Sequence, residues 1–432
     1  MTTKSTRLIL AGATSLMALT SAGAAHAQAF YLQEQSVRGQ GRAFSGEAAD
    51  TGIDSIWWNP ASIAEIQGGE ASVHASAVLP RGKVVDNGTV VVRPGTTGEA
   101  VGGNPVAKNP INNGVLPSGA IAWGTGKLAF GVSVTSPYSF TTDYASDSWS
   151  RYSADKTKLR TIDIQPTVAF APTPGLRIGV GLNVEHVDAT LSNYLPNLSS
   201  ALPDGHQSLE GKGWDVGWSA GVQYQTGPLQ IGLAYKSSIE HTLKGSVTID
   251  GLLGPLAAQN GTINAKAKFS TPWQAVGSIR YRATEALTLN AQVVRYGWSK
   301  FDTIDLGAPL NTSIPEDYRN SWSYAGGIDY RVNPKWTLRA GVQYASTPTR
   351  NTERDARVPD SDRWNFSAGT SYQMSKSIAI DAAASYIAFK DAPINRTTAA
   401  YAGTVVQTPI LVDGELQDAS AWVLSLGARV AF

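Results

Sequence analysis

Residues 30–61 run FYLQEQSVRGQGRAFSGEAADTGIDSIWWNPA, ahead of a long series of alternating segments. It contains Gly39, Gly41 and Gly46, two runs of small residues and the tripeptide Asn59-Pro60-Ala61. It shows neither an apolar stripe at helical spacing nor strict alternation. The stretch predicts a plug rather than a strand.

Upstream of it, residues 1–27 read as a secretory signal. Lys4 and Arg7 precede an apolar run from Leu8 to about Leu19, and small residues lead to Ala25-His26-Ala27. The run is too short, and too often interrupted by Gly12, Thr14 and Ser15, for a membrane-spanning helix. Cleavage would remove two of the positive charges and no acidic ones, so the formal charge moves from +1 to −1. A near-neutral chain offers no electrostatic case for nucleic acid or for an acidic substrate.

Downstream, the composition suits a barrel better than a soluble enzyme. Of 432 residues only 16% are charged, while 43 are Gly, 12 Trp and 16 Tyr. No later segment supplies about twenty consecutive apolar residues, so helices are not expected to cross a membrane. A closed barrel satisfies its backbone groups between neighbouring strands and is the other structure that hydrocarbon tolerates.

Alternation supports strands. In LRIGVGLNVE, Leu176, Ile178, Val180, Leu182 and Val184 alternate with Arg177, Gly179, Gly181, Asn183 and Glu185, which predicts one face in lipid and one in a polar lumen. A soluble sandwich would alternate too, and the connections separate the two. Tight links near 125–127, 172–175, 226–228, 282–285, 333–335 and 375–377 alternate with long polar segments near 81–116, 138–159, 192–211, 246–261, 300–319, 349–361 and 391–417. Six short and seven long links give an all-β, fourteen-stranded antiparallel transmembrane barrel. An even strand number puts both termini on the periplasmic side, with the long loops outside.

The expected organisation is a signal over 1–27, a hatch over 28–68 and the barrel over 69–432. Trp123, Trp149, Tyr152, Trp214, Trp218, Trp273, Trp298, Trp322 and Trp364 are expected in interfacial girdles. The last strand alternates through Trp422, Leu424, Leu426, Ala428 and Val430 to the carboxy-terminal Phe432. Such an ending resembles the terminal strand recognised by the barrel-assembly machinery.

No catalytic or cofactor chemistry is signalled. Cys is absent, which removes disulfides and thiolate sites. Four His remain outside the signal, His74, His186, His206 and His241, and no two lie close enough in sequence to suggest a metal site. The chain has no GxSxG, HExxH or phosphate-binding Gly-Lys-Ser/Thr element. A non-enzyme without metal or cofactor is expected.

The opening stretch also resembles the N-terminal hatch of the FadL/TodX family of outer-membrane transporters for long-chain fatty acids and other hydrophobic compounds. The matching positions are Phe30, Leu32, Glu34, Ser36, Gly39, Gly41, Arg42, Ala43, Phe44, Ser45, Gly46, Glu47 and Asn59-Pro60-Ala61. The resemblance continues through Gly217–Gly221, Leu233–Ser237, Thr271–Trp273, Trp298–Phe301 and Pro359–Tyr372. It implies passive uptake: outer loops catch a hydrophobic molecule, an internal pocket holds it, and it leaves sideways through the wall. A watery pore would not serve, since exposing a tail costs about 0.8 kcal/mol per CH₂.

The resemblance also implies site residues. Gly41, Arg42, Gly46, Glu47, Asn59, Pro60 and Ala61 belong to the hatch, with Asn59-Pro60 as an anchoring turn. Phe30 reaches the pocket. Loop leucines Leu195, Leu198, Leu202, Leu252, Leu253 and Leu256 are candidates for capture, or for packing the loops together. Pro137, which has no N–H to give, marks a lateral opening with Ser136, Tyr138 and Ser139, the last standing where a glycine is expected. Arg319 is the candidate partner of a ligand carboxylate, while a second basic position falls near the neutral Asn193. Expected partners are a long-chain fatty acid or other hydrophobic small molecule, outer-membrane lipid and lipopolysaccharide. An aromatic-hydrocarbon importer of the same fold, an open diffusion porin and a surface-binding protein remain open as alternatives.

Overall fold

The computed structural model describes residues 29–432, so the signal expected over 1–27 lies outside the described residues. Fourteen strands form one closed antiparallel barrel. They are β1 (Gln67–Asp86), β2 (Gly114–Thr125), β3 (Leu128–Thr135 and Ser139–Asp143), β4 (Lys156–Thr173) and β5 (Leu176–Leu195). Next come β6 (Gly205–Thr226), β7 (Leu229–Lys236 and Glu240–Asp250), β8 (Gly261–Ser270 and Trp273–Arg282) and β9 (Leu287–Gly297). The wall ends with β10 (Ser321–Arg331), β11 (Trp336–Ala345), β12 (Arg363–Gln373), β13 (Ile378–Phe389) and β14 (Thr408–Ala431). Each strand pairs with its sequence neighbour, and β1 closes on β14 from Glu70↔Ala431 to Asp86↔Gly414.

The expected strand number and all six tight links are present. β1 begins at Gln67, two residues before the expected hatch boundary. The long segments are less loop-like than their polarity suggested. β5 and β6 stay paired up to Leu195↔Gly205, and β7 with β8 to Ile249↔Gly261, so 192–211 and 246–261 are mostly hairpins rising above the wall. Their weak apolar content hides a strand because neither face of that part meets lipid.

Outward residues are apolar and exposed, as Ile178, Val180 and Leu182 on β5 illustrate, and a barrel exposes such a band only where lipid covers it. Trp123, Trp214, Trp218, Trp322 and Trp364 belong to this outer face. Trp149, Tyr152 and Trp298 do not: all three are buried. Trp149 and Tyr152 sit in a second apolar core formed by the long connections, where Trp149 Nε1 donates to Val84 O at 3.3 Å.

The N-terminal segment lies inside the barrel against the inner wall. Its residues from Ala29 to Ala64 are buried almost throughout. Short helical turns at Val37–Gln40, Glu47–Ala49, Ile53–Ser55 and Pro60–Ile63 replace any continuous helix. Buried irregular backbone needs partners, and the wall provides them. Glu47 N donates to Gln292 Oε1 at 2.8 Å, and Gln223 Nε2 donates to Ala48 O and Asp50 O at 2.9 and 2.7 Å. Close approach is possible because the facing wall residues are glycines. A Cβ on Gly221 would lie 1.9 Å from Asn59 Oδ1, and one on Gly232 1.9 Å from Ala48 O.

Candidate functional site: an apolar cavity and an open seam

The inner face changes character along each strand. Inward residues on β5 run Arg177, Asn183, Glu185 and then Val187 and Ala189; on β4 they run Gln165, Asp163 and then Leu159. The polar half faces the N-terminal segment. The apolar half lines a cavity open to solvent on one side, with about 820 Å³ of non-atom space when the open part is included, so the lumen is not polar throughout as the alternation predicted.

Phe30 closes this cavity from below. Its ring stacks on Phe140 at 5.9 Å and meets Trp298 and Phe301 edge-on at 4.9 and 5.1 Å. Phe269, Leu243 and Leu209 line the sides, and Tyr318 packs 5.0 Å from Phe301. A polar rim faces this surface. It carries Arg357, Glu316 and Asp355, all from the long connections.

Arg357 donates from Nη1 to Ser192 O and from Nη2 to Asn193 Oδ1, both at 3.1 Å. Among the described residues no carboxylate oxygen lies within 4.0 Å of its guanidinium. Burial lowers its pKa from the ordinary arginine value, against the pull of Asp355 and Glu316. Burial also pushes the Glu316 carboxyl up to about 7, opposed by Arg396. The rim thus holds one cation with neutral partners and one carboxyl that is largely protonated below neutrality.

A break in the wall lies beside Phe30. Pairing of β2 with β3 stops at Gly119↔Val134 and resumes only at Ile111↔Thr142. Between these points the edge of β3 toward β2 is bonded by the N-terminal segment instead. Leu32 N donates to Pro137 O at 2.7 Å, Ser139 N to Phe30 O at 3.2 Å, and Gln35 Nε2 to Ser136 O at 3.2 Å. From the β2 side Ser118 Oγ donates to Gln35 O at 3.2 Å, and Leu32 packs on Leu116 with both side chains fully buried.

The kink follows from Pro137, which has no N–H for either neighbour. Toward β4, residues 136–138 face only 161–162, since Thr135 pairs with Asp163 and Ser139 with Arg160. Side chains replace the lost ladder bonds. Ser136 Oγ donates to Thr161 O at 2.6 Å, Tyr138 N to Thr161 Oγ1 at 2.9 Å, and Thr161 N to Ser139 Oγ at 3.3 Å. Ser139, found where a glycine was expected, thereby fixes the bend.

The other sequence-derived candidates fall as follows. Asn59 caps the turn Pro60–Ile63 by accepting from Ala61 N at 2.9 Å, and its Nδ2 donates to Ala48 O at 2.7 Å. Arg42 and Glu47 form a buried ion pair, and Arg42 also meets Asp50 at 2.6 Å and Asp329 of β10 at 3.4 Å. Gly46 occupies a left-handed conformation at φ 81°, and Gly41 lies against Gly369 of β12. Leu195, Leu252 and Leu256 are buried in the core of the long connections, Leu198 packs against it, and Leu202 and Leu253 are exposed.

Arg319 is exposed, its backbone N donating to Pro348 O at 2.9 Å, and it does not line the cavity. Arg357 lines the cavity instead, bonded to the very Asn193 where a cation was expected. Trp298, expected in a girdle, instead turns inward and packs edge-on against Phe30 beneath the cavity. Its position shares the parity of the inward-facing Gln292, Val294 and Tyr296 on β9, which was the available signal.

The chain resembles the long-chain fatty acid transport protein of Escherichia coli O6:H1, with 26% identity over 397 residues covering 83% of this chain and 86% of that protein. It is 25% identical to outer membrane protein P1 of Haemophilus influenzae, covering 85% and 88% respectively. Among solved structures, a Pseudomonas aeruginosa FadL homologue superposes with a TM-score of 0.81 at 25% identity, covering 94% of this chain and 100% of that one. The toluene transporter TodX of P. putida shares the fold at a TM-score of 0.67 and 16% identity, covering 91% and 97%. The family model of outer membrane protein transport proteins (OMPP1/FadL/TodX) matches residues 18–432, and the chain belongs to this family of the outer membrane.

Proposed function

We propose that this protein passively carries long-chain fatty acids, or hydrophobic molecules of similar length, across the bacterial outer membrane. The observation that carries the reading is a guanidinium without a carboxylate partner, Arg357, facing an apolar cavity floored by Phe30. A carboxylate head bonds Arg357 and the tail lies against Leu209, Leu243 and Phe269. Burying ten methylenes there contributes about 8 kcal/mol before ordering costs. The name of the E. coli relative, a long-chain fatty acid transport protein, supports the same substrate class.

In this reading the long connections face the medium, the tight turns face the periplasm, and Leu202 and Leu253 offer a first apolar contact. The N-terminal segment acts as the hatch. Displacing Phe30 withdraws residues 30–35 from the β2–β3 seam, and the ligand leaves sideways past Ser136–Ser139 into the membrane.

The test is growth on oleate, against sensitivity to toluene, in a strain lacking its own long-chain fatty acid transporter. Oleate growth restored by the native chain and lost with Arg357→Gln is the expected result. Growth restored equally by both proteins would remove Arg357 from the reading, and toluene entry without oleate uptake would replace the substrate class.

A further inference from the structure

The outer surface above the apolar belt carries an arrangement that a bare β-sheet disfavours. Across five neighbouring strands, β4 to β8, one rung of the ladder reads Arg160, Asp188, Lys212, Lys244, Lys266, each residue directly opposite the next. The rung lies on the outer face: Lys212, Lys244 and Lys266 are exposed and Arg160 and Asp188 half-buried, whereas their sequence neighbours Leu159, Ala189, Leu243 and Ala265 are buried on the inside. Like charges directly opposed on a sheet face are destabilising.

The acids nearby do not relieve this. Asp188 already holds Lys158 at 3.0 Å. Glu210 and Glu240 stand opposite Ser246 and Ser270, and Asp305 opposite Lys268. Among the described residues none of Arg160, Lys212, Lys244, Lys266 or Lys268 has a carboxylate within 4.0 Å. The rung is therefore a row of four cations around one occupied acid, with Lys268 beside it.

Its height identifies the anion. Two positions along β6, about 6.6 Å of strand, Trp214 is 57% exposed, followed on the same face by Val216 and Trp218. The lysines thus stand at the upper border of the lipid-facing belt, where aromatic residues meet head groups. Soluble anions are weak partners for exposed ammonium groups in physiological salt. An amphiphile anchored beside Trp214 and Val216 holds its phosphates against the rung.

We propose that this rung binds the phosphate groups of lipopolysaccharide in the surrounding leaflet, independently of the internal cavity. Lysine suits the task, since flexible stems let several ammonium groups adjust to phosphates of varied spacing.

The test uses detergent-purified full chain, freed of lipid, and titrates it with lipopolysaccharide micelles. Native folding of each variant is verified by heat-dependent gel migration. Lys212→Gln/Lys244→Gln/Lys266→Gln should bind at least about tenfold more weakly, while the corresponding triple arginine variant keeps its affinity. Lipopolysaccharide stripped of phosphate should bind the native chain as weakly as intact material binds the Gln variant. Because the Gln variant loses like-charge repulsion, its lipid-free form should melt no lower than the native chain. Equal binding by native and Gln chains would overturn the proposal, as would retained affinity for phosphate-free material. Equal competition by inorganic phosphate or by phosphatidylglycerol vesicles would overturn the assignment to lipopolysaccharide. Fatty-acid uptake plays no part in the readout, so failure here leaves the transport reading untouched.

Discussion

Replacing Arg42 with Met should unseat the N-terminal segment while leaving the barrel closed. Arg42 is fully buried and binds Glu47 and Asp50 of its own segment and Asp329 of the wall. Asp50 keeps Arg38 at 2.8 Å, and Asp329 keeps Arg339 at 2.7 Å and Arg280 at 3.1 Å. Glu47 keeps no ion pair among the described residues, and its side chain is 0% exposed. Breaking a buried pair from one side costs about 3–5 kcal/mol, because the abandoned charge has lost its water as well as its partner. Applied to the seated state, that is roughly two to three and a half decades in the population of unseated segment. Planar-bilayer recordings should show frequent openings in Arg42→Met where the native chain stays closed, and protease should cut within residues 38–55. Arg42→Met/Glu47→Gln should recover at least about half of the loss, since a neutral amide is cheaper to bury than a lone carboxylate. Closed, protected Arg42→Met would refute the reasoning, and so would a double variant that leaks as much as the single one.

Three further outcomes follow from other parts of the site. Gly221→Leu places a side chain where a bare Cβ already lies 1.9 Å from Asn59 Oδ1, so it should displace the Asn59–Ala61 turn and raise protease sensitivity there. Arg357→Gln should weaken oleate binding by about tenfold or more, by loss of a charge-assisted bond, and leave binding of the methyl ester unchanged in a fluorescence displacement assay. The Glu316 carboxyl, raised to about 7, is neutral below that pH and charged above it. Its repulsion of a bound carboxylate therefore appears as pH rises, and oleate affinity should fall between about pH 6 and about pH 8, a dependence that Glu316→Gln abolishes.

How much of this was legible in the sequence depends on the range of the interaction involved. Strand number was readable because each tight link is a local event, written in residues such as Thr226-Gly227-Pro228 and Asn333-Pro334-Lys335. The N-terminal segment was readable as something other than strand or helix, because absence of period is also local. Trp298 could have been turned inward by counting parity along β9, whereas Trp149 lies in a connection where parity means nothing. Arg357 was out of reach: its loop crosses the mouth of the barrel, and only the closed fold brings it to Asn193, 164 positions away in sequence. The lysine rung was equally hidden, since no single strand carries more than a fragment of it and register across β6, β7 and β8 assembles the rest.

The proposed route asks one short piece of chain to sense the ligand and to seal the wall, and the magnitudes are compatible. Phe30 forms the floor of the cavity, while the backbone of residues 30–32 and the side chain of Gln35 hold the edge of β3. Releasing the seam breaks four hydrogen bonds between 30–35 and Ser136, Pro137 and Ser139, and a fifth from Ser118 Oγ to Gln35 O, at about 1 kcal/mol each. It also exposes Leu32, for roughly 2 kcal/mol more. The opposing term is a tail burying ten methylenes, about 8 kcal/mol. A ligand that must displace Phe30 to fit therefore has enough differential binding to shift the seam from shut to open. A head group alone does not, because one charge-assisted bond at Arg357 supplies only about 1.5–3 kcal/mol. Short carboxylates should accordingly bind the rim without opening the wall, and the length of the apolar tail, rather than the charge, selects what passes.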